Sequence, residues 1–154
     1  MSWLLVKWLH VLSSTILFGT GIGTAFYIFF CARTRDARVV APVMRYAVIA
    51  DWLFTATTAV LQPLTGFYLV YLAGIPLATT WIAWSIALYL VAILCWMPVV
   101  WLQIRMRDLA MQAAAAGEPL PARFWMLRWV WFSLGVPALL AFLAIFYLMI
   151  AKPA

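Results

Sequence analysis

Residues 52–104 carry no Asp, Glu, Lys, Arg or His. That run exceeds twice the ~20 residues that cross a bilayer's hydrocarbon as a helix. It therefore predicts two crossings joined by a tight turn at Ala73-Gly74-Ile75-Pro76, where glycine and proline interrupt the apolar pattern. Residues 8–32 hold no formal charge, and the stretch between Arg128 and Lys152 holds none either. The spans fall at about 3–31, 46–72, 81–104 and 128–150, each long enough to traverse lipid. Composition agrees, with 69% hydrophobic and 9% charged residues, where a soluble domain carries about 25% charged. A chain of 154 residues has no way to enclose so much apolar surface in a water-soluble core, so lipid is its solvent. The fold class is all-α, a four-transmembrane-helix bundle forming one integral-membrane domain over residues 1–154.

The net charge of +6 comes from arginines in two segments. Arg33, Arg35, Arg38 and Arg45 follow the first span, and Arg105, Arg107, Arg123 and Arg128 follow the third. The opposite face has Lys7, Lys152 and an uncharged turn. The positive-inside rule places both basic loops in the cytoplasm and both termini outside. Trp3, Trp8, Tyr71, Trp81, Trp84 and Tyr147 then make the outer aromatic belt, and Trp101, Trp125, Trp129 and Trp131 the inner one. Clusters of this kind set topology and meet anionic headgroups. Nucleic-acid binding needs a basic face on a soluble module, which this chain has no length to build. Residues 105–116 are strong helix formers that stop at Gly117, Pro119 and Pro121, so the third helix extends into the cytoplasm. Residues 1–31 read as a retained span, too long and apolar for a cleaved signal. Cys31 and Cys95 fit no metal spacing and read as small apolar fillers.

Polar residues inside the spans form two rows. Asp51, Thr55, Thr58, Gln62 and Thr65 recur at spacings of 4, 3, 4 and 3, one stripe of a helix. Lys7, His10, Ser14, Gly21 and Thr24 make a similar line on the first span. Groups of this kind find no partners among acyl chains and must face protein or a wet cavity, so the rows are expected to face each other. In antiparallel helices of equal rise, residues whose numbers sum to about 75 share a level. That sets His10 beside Thr65, within a turn of Gln62, and Asp51 beside Thr24. Pro63 cannot donate to the Ala59 carbonyl, which is left for a side chain or water.

An ionisable residue within a membrane marks a candidate site. His10, the sole histidine, has two readings: haem ligand or proton-transfer group on one side, and a helix-packing imidazole bonded to Thr65 or Gln62 on the other. No second axial ligand is evident, Met97 lying too deep and Met149 too near the surface. Asp51, the only acid within a span, is either neutral in a hydrophobic site or paired with Arg45 or another basic-loop arginine, and reads as an anchor for span two or as a proton relay. Gly19-x-x-x-Gly23 is a close-packing motif, expected to act inside the bundle rather than in dimerisation. The sequence offers no Ser-His-Asp set, zinc spacing or paired acids, which excludes hydrolytic chemistry.

Four motifs carry a resemblance: Leu17-Phe-Gly-Thr-Gly-Ile-Gly23, Ala50-Asp-Trp-Leu-Phe-Thr55, Leu61-Gln-Pro-Leu-Thr-Gly66 and Trp101-Leu-Gln-Ile-Arg-Met-Arg-Asp108. Together they closely resemble the bacterial membrane family called domain of unknown function 2269, across almost the whole chain. That resemblance implies a membrane protein and no defined activity. More loosely, Lys7-Trp-Leu-His10 is similar to the opening of the copper-resistance CopD membrane domain and of the HemJ-type protoporphyrinogen oxidase. The second likeness implies a small four-helix membrane protein associated with haem, with His10 in the place of the first-helix histidine.

Together these readings lead to a bacterial inner-membrane, redox-associated protein holding haem b or a quinone-like ligand between spans one and two. His10 is the ligand or hydrogen-bond partner and the metal-binding candidate, Lys7 a partner for a propionate, and Gln62 and Thr65 orienting groups. The alternatives are a non-catalytic subunit of a larger membrane complex, with a protein partner or second copy, and a small ion pathway along the Asp51–Gln62 row.

Overall fold

A computed structural model describes residues 2–153. Four helices, each long and apolar enough to cross a membrane, account for nearly all of them: α1 Trp3–Arg33, α2 Ala37–Ala73, α3 Thr80–Ala116 and α4 Ala122–Ala151. At 1.5 Å rise per residue α2 and α3 are each ~55 Å long, longer than the hydrocarbon layer. Both therefore project past it. One end of the bundle carries the arginine loops and is called here the basic end; the other holds both termini and the turn at Gly74.

Glycine ends two of these helices. Gly74 has φ 64° and Gly117 φ 69°, the left-handed region where a missing Cβ removes the steric cost. Ile75 N–H donates to Val70 O (3.2 Å) and Glu118 N–H to Ala113 O (2.9 Å), which satisfies carbonyls the helix ends would otherwise leave bare. At the basic end Arg35 also has φ 57°, and the Asp36 carboxylate accepts from Arg38 N–H at 2.8 Å, capping α2.

The second helix begins at Ala37 rather than near 46, so Arg38 and Arg45 lie on a helix and not in a loop. The reason is a clean apolar face. Ala37, Val40, Ala41, Met44, Ala47 and Val48 are buried while Arg38, Val39, Arg45 and Tyr46 are exposed, the i, i+3, i+4 pattern of a helix laid on a core. This first part of α2 packs on α3 and α1, whereas its later part, Ala56–Ala73, packs chiefly on α1. Where the neighbours change, residues Asp51–Thr55 form a π-helical turn, the wider i→i+5 geometry that appears as a local bulge in α-helices.

The continuous core sits at the basic end. Ile28, Val40, Met44, Met106 and Phe124 are fully buried there, and Leu120, Leu127 and Trp131 close around them. Trp131 is thus a core residue, 7% exposed, rather than a member of the interfacial belt; α4 turns it inward. Trp101 and Trp129 remain on the surface. Arginines lie back over aromatic rings at this end, Arg105 over Trp101 (5.5 Å) and Arg128 over Trp125 (5.4 Å), burying their stems while keeping the charge close to the interface.

Towards the other end the bundle is held by fewer groups. The Tyr89 hydroxyl of α3 donates to the Ala59 carbonyl of α2, the very acceptor that Pro63 leaves without an N–H. Gly19, Gly21 and Gly23 do not serve close packing within the chain. A Cβ on any of them would meet no atom within 4 Å.

Candidate functional site

His10 lies about two turns into α1, half-buried against α2. Its Nδ1 is 2.7 Å from Thr65 Oγ1. The Thr65 hydroxyl has one proton, and it is directed at the Leu61 carbonyl 2.7 Å away. With that proton on Leu61 O, Oγ1 accepts from the ring, Nδ1 carries the proton and Nε2 keeps an in-plane lone pair; donation of the hydroxyl to the ring gives the other tautomer. The Gln62 backbone carbonyl also faces the imidazole. The Gln62 side chain completes the join: Nε2 donates to His10 O at 2.9 Å and to Ser13 Oγ at 2.8 Å. His10, Gln62 and Thr65, expected to share one level, are together in one hydrogen-bonded group.

Gly66 makes room for it. A Cβ at this position would stand 3.2 Å from His10 Cε1 and 4.0 Å from Nε2, so the imidazole edge rests on bare α2 backbone. Thr65 and Gly66 are consecutive, one bonding the ring and the other admitting it.

Other residues of the two expected rows are placed differently. Ser13, 3% exposed, takes the Gln62 amide, whereas Ser14 bonds back to Val11 O at 2.8 Å. The facing side of α1 is rotated by one residue from the sequence reading. Thr24 likewise donates to Thr20 O (2.9 Å) and not to the Asp51 level. Lys7 is exposed, one turn before His10. Asp51, Thr55 and Thr58 are buried with Gln62, at 5–9% exposure. Thr55 Oγ1 donates to Asp51 Oδ1 at 3.0 Å, and the Thr58 hydroxyl returns to the Phe54 carbonyl. The ion pair expected between Asp51 and a basic-loop arginine does not form. Among the described residues the pair at salt-bridge distance is Arg107–Asp108, 2.8 Å, while Asp51 faces Thr55 and Gln103. Burial below the arginine level is the cause: Arg45 is turned out of the bundle.

Four contributors escaped the sequence reading. Ser13 and Gly66 adjoin residues it singled out, but helical rotation decides between neighbours. Tyr89 and Gln103 lie on α3, whose register against α2 no motif announces. A cue existed for Tyr89 alone, since Pro63 advertised a bare carbonyl in need of a donor. Two open clefts of about 380 and 270 Å³ occur at the basic end, around Arg35 and Pro119, away from His10.

The family model described as "Predicted integral membrane protein (DUF2269)" matches residues 4–153. The chain belongs to that family. As a DUF2269 protein it is an integral membrane protein lodged in a lipid bilayer, and the match covers α2, α3, α4 and all but the first residue of α1. No curated protein and no solved structure matches it. Within the DUF2269 chain, the donor set around His10 comprises one imidazole, with the Thr65 hydroxyl at Nδ1 and the Gln62 amide on the His10 backbone carbonyl. Among the described residues no cluster of three His, Cys, Asp or Glu side chains is assembled.

Proposed function

We propose that this DUF2269 protein is a redox-associated protein of the bacterial inner membrane that holds haem b or a quinone-like ligand at His10, between α1 and α2. The observation that carries this reading is the contact of His10 Nδ1 with Thr65 Oγ1 at 2.7 Å. With Nδ1–H donated to Thr65, Nε2 presents a lone pair suited to a metal or to a hydroxyl donor, and the second-row bond on Nδ1 fixes the ring's orientation.

His10, the sole histidine, is the residue of this chain that would hold a haem, since Met97 is 62% exposed on the outside of α3. Lys7, one turn away, is the cation for a propionate. A bound haem would supply one-electron chemistry; the residues' own work is to orient the imidazole and shield the ring edge against Gly66. A quinol in the same place donates its hydroxyl to Nε2.

The test is spectroscopic. Protein purified in mild detergent after haem supplementation should show a Soret band that His10→Ala abolishes, or else a quinone in its organic extract that the same substitution removes. A colourless protein that retains no quinone overturns the proposal.

One observation favours a second reading, a non-catalytic subunit of a larger membrane complex. The face of α1 that holds Gly19 and Gly23 is open, with no atom within 4 Å of a Cβ at either position, and small residues spaced in this way let another helix approach closely. Co-purification of a stoichiometric membrane protein supports it; recovery of a tagged chain as monomer alone counts against it. Transport along the Asp51–Gln62 row draws no such support, because its hydroxyls and amide are bonded within the bundle.

A further inference from the structure

One seam of the bundle is closed by rings instead of by backbone. Closely packed helices hold their axes about 8–10 Å apart, but the backbones of α1 and α4 hardly approach each other. Side chains bridge them. Phe18 meets Phe146 with centroids 5.1 Å apart, and nearer the basic end Phe29 meets Phe132 at 6.1 Å. That end of the seam also gathers positive charge. The guanidinium of Arg128, from α4, lies 5.7 Å from the centroid of Phe29, and that of Arg33, from α1, lies 5.7 Å from the same ring. Arg128 also covers Trp125, and Trp125 walls the cleft of about 380 Å³ that Arg35, Pro119 and Leu120 line with it.

A ring face attracts each cation but does nothing for the repulsion between two of them. The chain itself supplies no anion to relieve it. Among the described residues no carboxylate stands at salt-bridge distance from Arg33 or Arg128. Its four acids are placed elsewhere: Asp36 accepts from Arg38 N–H, Asp51 from Thr55, Asp108 pairs with Arg107, and Glu118 lines the other cleft. The Nε–H of Arg128 is buried without an acceptor, so compensation for this half-buried charge has to come through its terminal nitrogens.

We propose that the basic end of the α1–α4 seam holds one anionic phospholipid, its phosphate bonded by Arg33 and Arg128 and an acyl chain lying along Phe29 and Phe132. Guanidinium groups fit phosphate oxygens two at a time, and basic pockets between membrane helices suit such headgroups. The rest of the headgroup falls to the cleft beside Arg35 and Trp125. An inorganic anion would meet the charge but leave the ring-lined seam unfilled, whereas a lipid matches both parts. The site lies at the other end of α1 from His10, and neither reading's failure touches the other.

The full chain, stripped of lipid in detergent, is mixed with equal amounts of phosphatidylglycerol and phosphatidylcholine of the same acyl chains, and native mass spectrometry reads what stays bound. One phosphatidylglycerol should be retained over phosphatidylcholine by more than about tenfold, the effect of two arginines beside a headgroup. Arg33→Gln and Arg128→Gln should each lower that preference about fivefold. Arg45→Gln removes the same charge from an arginine turned out of the bundle and should leave the preference intact. Should Arg128→Gln not fold, the exposed Arg33 decides. A thermal scan adds the free anion: the midpoint should rise with phosphatidylglycerol and not with inorganic phosphate at equal ionic strength. Equal retention of the two lipids overturns the proposal, as does an equal loss of preference in Arg45→Gln, the mark of unspecific attraction to the basic end. A midpoint raised as much by phosphate as by the lipid overturns it too, leaving a site for a small anion.

Discussion

A Cβ added to residue 66 would lie 3.2 Å from Cε1 of His10, so the glycine of one helix and the imidazole of the other occupy complementary space. Gly66→Ala forces a shift of a few tenths of an ångström, and the better helix propensity of alanine, about 1 kcal/mol, offsets that strain. Its thermal midpoint should stay near that of the parent. Gly66→Val should lose about 1–3 kcal/mol through overpacking and displace the imidazole from Thr65. Differential scanning of the two variants in detergent checks the contrast; equal stability would show that the ring is not seated there.

Because the chain has one histidine, a histidine-selective ¹⁵N NMR spectrum reports on the site without assignment. The parent should show a protonated Nδ1 and a bare Nε2. Thr65→Val removes the acceptor 2.7 Å from Nδ1 and should erase the preference for that tautomer. A parent spectrum with the proton on Nε2 would contradict the bonding described, and with it the lone pair on which ligand binding rests.

Gln62 makes two of the bonds that join α1 to α2, to His10 O and Ser13 Oγ. Hydrogen bonds between membrane helices average about 0.6 kcal/mol each, so Gln62→Leu should destabilise the bundle by about 1 kcal/mol. Titration with a denaturing detergent measures it. Ser14→Ala, whose hydroxyl bonds only within α1, is the matched control and should change nothing.

The Tyr89 hydroxyl supplies the donor that Pro63 denies to the Ala59 carbonyl. Tyr89→Phe should therefore cost about 1 kcal/mol and loosen the contact of α2 with α3, seen as faster amide exchange near Ala59. Tyr147→Phe, at an exposed position, should show neither effect.

Orientation follows from charge alone and has its own test. In a background with Cys31 and Cys95 replaced by alanine, Ala78→Cys in the uncharged turn should react with an impermeant maleimide on intact cells. Glu118→Cys, in the arginine-rich loop, should react after permeabilisation only. The reverse pattern would invert the topology.

How far sequence reading reached is clearest residue by residue. Counting levels in antiparallel helices brought His10 to Thr65, because axial rise is the same in every α-helix. The same counting could not choose Ser13 over Ser14, since neighbouring residues differ by about 100° around the axis and rotation is set by what the helix packs on. It placed Asp51 on a regular stripe and missed the π-turn, which arises where α2 changes neighbours. It put Arg38 and Arg45 in a loop, reading charge as the end of helix although an apolar face continued beneath them.

What the sequence by itself determined is the number of crossings, their approximate limits and the depth of each polar group. Those depend on composition along one dimension and on the cost of placing charge in hydrocarbon. Tertiary structure alone decided which side of each helix turns inward, that Gly66 admits the imidazole, that Tyr89 caps Ala59 and that Gln103 confronts Asp51. Each of these requires the azimuth and register of two helices at once, and in lipid those are settled by close packing between side chains rather than by the uniform exclusion of apolar groups from water.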